Sequence, residues 1–213
     1  MQVGELSIEV VVKKFSSIVK NQLDNDSIFK LVKKGYNVHE LEKLGVREIS
    51  MVVCVRNGMY EFLTTEGSFG FVDDKDLINT CISKGGEPYI IIHNHPGGLA
   101  IPSAGDFRDL LGLYDENKLP EWYCVARTGK KYVFTTCFKV PKDREKIEYL
   151  SGLSAEELTT WLGIQYNEYV EIELNHETTS VYKSSTAKFV EEKFVKFMKD
   201  EDVEIKYFKI PKE

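Results

Sequence analysis

The chain has 213 residues, of which 42% are hydrophobic and 29% charged, and this suits one globular domain, alone or with extensions. Its net charge of −6 argues against a general nucleic-acid-binding protein. The longest apolar runs, such as residues 51–55, are too short to span a bilayer, and residues 1–14 lack the pattern of a signal peptide.

The cysteine pattern gives a first expectation about the compartment. The chain has four cysteines, none of them in a C-x-x-C pair: Cys54, Cys81, Cys124 and Cys137. Such scattered cysteines are more typical of reduced thiols than of a disulfide framework. We therefore expect free thiols and a cytoplasmic location.

Residues 1–45 are predicted to form an N-terminal strand-helix extension. The apolar run in residues 7–13 suggests a strand. Apolar side chains then recur at three- and four-residue spacing across residues 14–35, which predicts a helix, and a further helical turn is expected at 39–44.

Residues 46–140 are predicted to form the central domain. Its expected strands and helices follow each other closely, with strands at 48–55, 59–65, 89–92, 122–126 and 132–138 and helices at 74–83 and 103–114. Asn57-Gly58 favours a tight hairpin turn, because such turns need positive φ angles, and Asp73 is expected to cap the first of these helices. This order predicts an α/β fold with a mixed β-sheet flanked by helices.

Residues 141–213 are predicted to form a C-terminal extension of helices and strands. Helices are expected at 143–166 and 186–199, and strands at 169–174 and 203–210. Ser154 and Glu157 have the spacing of a capping box within the first helical region. The sequence leaves two alternatives open for this segment, a small second unit or an addition to the main sheet.

Two histidines at the end of a predicted buried strand carry the strongest chemical signal. Side chains at i and i+2 of a strand point to the same face, so His93 and His95 lie on one side. A turn at Gly97-Gly98 then leads to a helix that opens at Ser103 and has Asp106 in its first turn. Two imidazoles and one carboxylate are the protein ligands of a catalytic zinc site, whose fourth position is left for water.

Ser103 and Asp106 also have a structural alternative. Ser-x-x-acid before an apolar run is a capping-box pattern, which alone could explain both residues. Glu or Gln is the usual partner in that box, and Asp is short for the return hydrogen bond, so we favour the metal interpretation. His39 and His176 have no acidic or histidine neighbours of this kind, and we predict no metal role for them.

The motif in residues 93–106 also resembles a known family. His-x-His-Pro followed by Ser-x-x-Asp resembles the signature of the JAMM (MPN-type) zinc metalloproteases, and the wording His-Asn-His-Pro-Gly-Gly is closest to their bacterial RadC-like branch. The order of elements over residues 46–138 is compatible with that three-layer domain. The resemblance covers only this stretch, and the two ends of the chain match no family that we can name.

The resemblance implies a set of roles. His93, His95 and Asp106 would bind Zn²⁺, and the Ser103 hydroxyl would donate to the oxyanion of the reaction. A glutamate upstream of the histidines would be the general base. Glu48, at the start of the first hairpin strand, is the best match, and Glu61 and Glu66 are the alternatives.

Three functions follow as expectations. The first is a zinc-dependent hydrolase of peptide or isopeptide bonds acting on a protein or peptide, since some relatives cleave ubiquitin-like conjugates. The second is a RadC-like DNA-associated protein, which the acidic charge and the lack of a Gly-x-Gly turn in residues 15–44 argue against. The third is a metal-binding scaffold or partner-binding module without catalysis. We predict no membrane partner and no particular oligomeric state.

Overall fold

The computed structural model describes residues 6–165, 167–174 and 177–213. Within these ranges the chain forms α-helices α1 Ile8–Val19, α2 Asn25–Lys33, α3 Val38–Lys43, α4 Lys75–Ser83, α5 Ala104–Asp115, α6 Arg144–Leu150, α7 Ala155–Trp161 and α8 Ser184–Asp200. The strands are β1 Ile49–Arg56, β2 Met59–Glu66, β3 Glu87–Asn94, β4 Trp122–Thr128, β5 Tyr132–Lys139, β6 Tyr169–Leu174, β7 Glu177–Tyr182 and β8 Ile205–Pro211.

Six strands form one mixed sheet in the order β2-β1-β3-β4-β5-β8, in which only the β3–β4 pair is parallel. Alternate residues of β3 enter different cores, because neighbouring side chains on a strand face opposite ways. Ile90 and Ile92 pack with α1, whereas Ile91 packs with α4, α5 and α8. The predicted α/β class, with a mixed sheet flanked by helices, is confirmed.

The predicted first strand is wrong, because residues 8–19 are helical. Ser7 caps the helix by accepting from the Val10 amide, and the apolar side chains of the helix then fall on one buried face: Val11, Val12, Phe15 and Val19. The spacing of 3.6 residues therefore overrides the β-propensity of a short valine run. The helix expected at 14–35 is two helices, α1 and α2.

The C-terminal segment adds to the main sheet, since β8 pairs with β5 and α8 packs on the core. The helix expected at 143–166 is divided into α6, a 3₁₀ turn and α7, and residue 166 lies outside the described residues. Ser154 precedes α7, but its side chain makes no capping hydrogen bond, so the predicted capping box with Glu157 is wrong. Strand β7, which pairs with β6, was not predicted.

The expectation of free thiols is also wrong. Two disulfides are present, Cys54–Cys81 and Cys124–Cys137. Cys124 and Cys137 are cross-strand partners on β4 and β5, and β1 places Cys54 against Cys81 of α4. Both disulfides form because the fold brings the two cysteines of each pair close together in space. The spacing of the cysteines along the chain does not reveal this proximity. No helix in the described ranges is long and apolar enough to cross a membrane.

Candidate metal centre

The three predicted ligands meet at one point. Strand β3 ends with His93 and Asn94, and His95 is the next residue. The two histidine side chains point to the same side, and their Nε2 atoms lie 2.8 Å apart. The Asp106 carboxylate, in the first turn of α5, lies 3.2 Å from each of these nitrogens. All three side chains offer a ligand atom within 4.8 Å of the others. This group can hold a metal ion.

A hydrogen bond fixes the orientation of one imidazole. His95 Nδ1 lies 3.1 Å from the carbonyl oxygen of Leu99, a partner that can only accept. The Nδ1 atom therefore carries a hydrogen in both the neutral and the protonated imidazole, and Nε2 faces the other two residues. In the neutral form this is the tautomer that binds a metal through Nε2.

The electrostatics of the three ligands are strongly coupled. Burial opposes protonation of His93, but the adjacent Asp106 carboxylate outweighs it and raises the pKa of His93 to about 9. The pKa of His95 is raised in the same way, against burial. Burial alone would raise the pKa of Asp106, but the two imidazoles hold it well below its usual range. Without an ion, positive imidazoles balance this carboxylate.

Asp106 is held by donors from two directions. The Ser103 amide and hydroxyl donate to Oδ2 at 2.7 and 2.9 Å, and the Asp106 amide donates back to Ser103 Oγ. The Tyr123 hydroxyl donates to Oδ1 at 3.0 Å. Asp106 therefore does form the return hydrogen bond of the capping box, although Asp is a short partner for it. The same carboxylate also faces the histidines.

Tyr123 was not predicted as a site residue. It lies on β4, beside Ile91 of the histidine-bearing strand. Burial raises its pKa well above the usual value, so its hydroxyl remains a donor. Only the parallel pairing of β3 with β4 brings it to the site, and the sequence does not specify that pairing.

Glu48 lies in the same cleft, immediately before β1. Its side chain is 7% exposed, and it lines the cleft together with His95 and Ser103. Burial raises the pKa of Glu48 to about 7, although the nearby imidazoles lower it. Glu61 and Glu66 are exposed, and they pair instead with Lys84 and Arg47.

Asn94 connects the metal-binding strand to Glu48. Its Oδ1 accepts from the Ile49 amide at 2.7 Å, and its Nδ2 donates to the Arg47 carbonyl oxygen at 3.3 Å and to Gln22. The structure shows that it holds the residues on either side of Glu48.

The cleft beside these residues has a volume of about 750 Å³. Of the three grouped residues, His95 lines the cleft. Three segments far apart in sequence line it as well: residues 69–71, the start of α5 and residues 178–180 of β7. Phe71 is 61% exposed at this cleft. The C-terminal segment therefore contributes one wall of the cleft.

Asn25 of α2 holds the loop that follows His95. Its buried Nδ2 donates to the carbonyl oxygens of Gly97 and Gly98 at 2.9 and 2.8 Å, and to that of Tyr182 at 3.3 Å. The Tyr182 amide in turn donates to Gly97. This residue was missed, because an asparagine in the first turn of a helix has an ordinary local sequence.

A buried ion pair holds the same loop from the other side. Glu191 of α8 pairs with Arg127 of β4, and both side chains are fully buried. Glu191 also accepts from the Ala100 amide at 2.8 Å and from the Tyr207 hydroxyl at 2.9 Å. The loop between His95 and Ser103 is thus fixed by residues from both ends of the chain.

Neither a scan against protein-family models nor a search of the curated proteins finds a match for this chain. The resemblance of residues 93–106 to the JAMM signature therefore stays a prediction.

Proposed function

We propose that this protein is a zinc-dependent hydrolase of peptide or isopeptide bonds. The observation that carries the proposal is the meeting of His93, His95 and Asp106 beside a cleft that His95 lines together with the buried Glu48. A metal-binding scaffold has no need of a buried, unpaired carboxylate beside its ligands. A hydrolase needs one as its general base.

The ligand set fits zinc. A tetrahedral zinc ion with bonds of about 2.0–2.1 Å holds its ligand atoms roughly 3.3 Å apart. The two Nε2 atoms lie 2.8 Å apart, and each lies 3.2 Å from a different Asp106 oxygen, Oδ1 for His93 and Oδ2 for His95, so all the nearest distances approach that spacing. Two imidazoles and one carboxylate leave a fourth position for water, as in catalytic sites and unlike closed structural ones.

A bound zinc ion would supply a Lewis acid and lower the pKa of a water molecule. Glu48 would accept the proton of the attacking water and deliver it to the leaving amine. Its pKa of about 7 suits both steps, because a base of that strength also gives up the proton readily near neutral pH. Asn94 would keep Glu48 in place through its hydrogen bonds to the neighbouring backbone.

Ser103 would stabilise the negative oxygen that develops on the substrate carbonyl. Its hydroxyl lines the cleft and donates to Asp106 in this structure, so it has to turn toward the substrate to do so. The backbone hydrogen bond from the Ser103 amide continues to hold Asp106 during that rotation. Protein or peptide chains are the substrates we propose, and a ubiquitin-like conjugate is the first to test because of the JAMM resemblance.

The test combines metal analysis with turnover. Zinc content is measured after purification, and hydrolysis of isopeptide-linked ubiquitin-like conjugates and of fluorogenic peptide amides is followed. We expect Glu48→Gln to retain zinc and to lose about 100- to 10,000-fold in rate. Glu61→Gln is the matched control and should behave as the wild type, because Glu61 is exposed and pairs with Lys84.

Two outcomes would contradict the proposal. Bound zinc without turnover of either substrate class, in wild type and Glu48→Gln alike, would identify a scaffold. Retention on DNA that weakens steeply with added salt would indicate a nucleic-acid role instead.

A further inference from the structure

Asp74, which directly precedes α4, is brought close to His93 by the packing of this helix on the sheet. Asp74 and Ile78 are four residues apart and lie on the same face of the helix. Ile78 belongs to the same buried apolar cluster as Val52 of β1 and Ile91 of β3. Ser50 lies two residues before Val52 on β1, and His93 lies two residues after Ile91 on β3, so both are on the same face of the sheet. Ser50 and His93 are directly paired across these antiparallel strands. One helical turn back from Ile78 therefore brings Asp74 to this pair.

Helix capping does not explain the Asp74 carboxylate. Asp74 is in the N-cap position of α4 but makes no side-chain capping hydrogen bond. The neighbouring Asp73 accepts from the Lys75 amide at 2.9 Å instead. Oδ1 of Asp74 is buried, and Asp74 lines a small cavity together with Ile91 of β3 and Tyr123 of β4, so the carboxylate is turned toward the sheet. A carboxylate that is turned inward in this way needs a compensating partner.

His93 has the complementary requirement. Its Nδ1 atom is buried and has no hydrogen-bond partner within residues 6–165, 167–174 and 177–213, and neither has Oδ1 of Asp74. When Nε2 faces a metal ion, Nδ1 carries the hydrogen, and a buried N–H without an acceptor is strongly unfavourable. Metal-binding histidines almost always donate this N–H to a carboxylate, a carbonyl or water. His95 already does so to Leu99.

We propose that Asp74 is a positioning residue for His93, and that its carboxylate accepts the Nδ1–H of the imidazole through one bridging water. The link fixes the tautomer and the ring angle of His93, which is the more buried of the two histidines. This inference rests on the metal site of the proposed function.

Zinc affinity is the main test. Zinc binding to the metal-free protein is measured by competition with a chromophoric chelator, for wild type, Asp74→Ala, Asp74→Asn and Asp76→Asn. Asp74→Ala should weaken zinc binding about 10- to 100-fold. Asp74→Asn keeps an acceptor oxygen and should recover part of that loss. Asp76→Asn removes the same charge from an exposed position in the first turn of α4 and should bind zinc as the wild type does.

A spectroscopic readout separates positioning from charge. In zinc-loaded, ¹⁵N-labelled wild type, the His93 Nδ1–H should be protected from exchange with water, and in Asp74→Ala this signal should be lost. Thermal unfolding of each metal-free variant checks that it is folded, and Asp74→Asn preserves the shape of the side chain if Asp74→Ala fails to fold.

Three results would overturn the inference: wild-type zinc affinity in both Asp74 variants, equal losses in both, or an unchanged His93 signal. Failure of the proposed function looks different, because a wild type that binds zinc without hydrolysing any substrate leaves all these measurements intact. A wild type that binds no zinc would remove both proposals.

Discussion

Ser103 and Asp106 hydrogen-bond to each other in both directions at the start of α5, with 2.7 Å from the Ser103 amide to Oδ2 and 3.2 Å from the Asp106 amide to Ser103 Oγ. The same Asp106 carboxylate lies 3.2 Å from each histidine. One pair of residues therefore begins the helix and orients the carboxylate toward the histidines. The helix-cap interpretation is confirmed, and the same carboxylate belongs to the group that could hold a metal ion.

Replacing the Ser103 side chain should reveal both roles. Ser103→Ala keeps the backbone hydrogen bond to Asp106 but removes the cap and the cleft hydroxyl. We expect a loss of about 1 kcal/mol in the free energy of unfolding. Turnover should fall about 100- to 1000-fold, which is typical of a lost oxyanion donor. Chemical denaturation and steady-state kinetics measure the two effects.

Asn37→Ala is the control for Ser103→Ala. Asn37 forms a capping box with Glu40 at the start of α3, outside the cleft-lining residues. Its replacement should lower stability by a similar amount and leave turnover unchanged. Equal turnover in Ser103→Ala and the wild type would limit Ser103 to helix capping.

Zinc affinity should depend on pH in a defined direction. In the metal-free protein the pKa of His93 is about 9 and that of His95 is also raised, so protons compete with zinc near neutral pH. Binding through Nε2 requires neutral imidazoles, so affinity should increase as the pH rises from about 6 to about 8. Each proton released contributes about a tenfold increase per pH unit.

Chelator competition across this pH range measures the slope. His39→Gln should leave the slope unchanged, because His39 is exposed on α3 and remote from the three ligands. A zinc affinity that stays flat across the range would show that the two imidazoles are already neutral before the ion binds.

Asn25 should be important to the centre although it touches none of the ligands. Asn25→Asp replaces the donor amide by an acceptor that faces the carbonyl oxygens of Gly97, Gly98 and Tyr182. We expect a loss of about 1–3 kcal/mol in the free energy of unfolding, the range for a buried group without a partner. Zinc should also bind more weakly, because the loop after His95 is released.

Denaturation and zinc competition test the Asn25 prediction together. Asn21→Asp is the matched control, since the same substitution is made at an exposed position four residues earlier. A destabilised Asn25→Asp that binds zinc as tightly as the wild type would show that the loop holds its shape without this clamp.

Breaking the buried ion pair should be more damaging to stability than any other change considered. Glu191→Ala leaves the fully buried Arg127 without its carboxylate and the Ala100 amide without its acceptor. We expect a loss of roughly 3–5 kcal/mol, as for other buried pairs that lose one partner. Glu192→Ala, on the same helix, removes an exposed carboxylate 3.6 Å from Lys188 and should change stability by less than about 0.5 kcal/mol.

Much of the centre could be predicted because its signals are local. Strand alternation places His93 and His95 on one side, and the helix start at Ser103 places Asp106 in the first turn. The hairpin at Asn57-Gly58 was likewise predictable, and both residues have positive φ. Glu48 was chosen through the family resemblance, and burial beside the histidines supports that choice.

The features that the sequence did not reveal depend on distant neighbours. Asn25 is separated from Gly97 by 72 residues, and Arg127 from Glu191 by 64. The disulfide Cys54–Cys81 likewise requires that α4 packs on β1. Local propensity cannot resolve such tertiary choices. The valine run near the N-terminus is an exception, because the signals for a helix there are local: Ser7 caps the helix, and the apolar side chains have helical spacing.

The double clamp on the loop between His95 and Ser103 has a consequence for biosynthesis. Asn25, which anchors one side of this loop, is synthesised before the loop itself. Glu191, which anchors the other side, is synthesised more than 80 residues after Asp106. During translation this loop, which connects the two histidines to Asp106, is therefore only half anchored until Glu191 has been added. We expect metal loading of the proposed centre to follow completion of α8, and a fragment limited to residues 46–140 would lack both anchors.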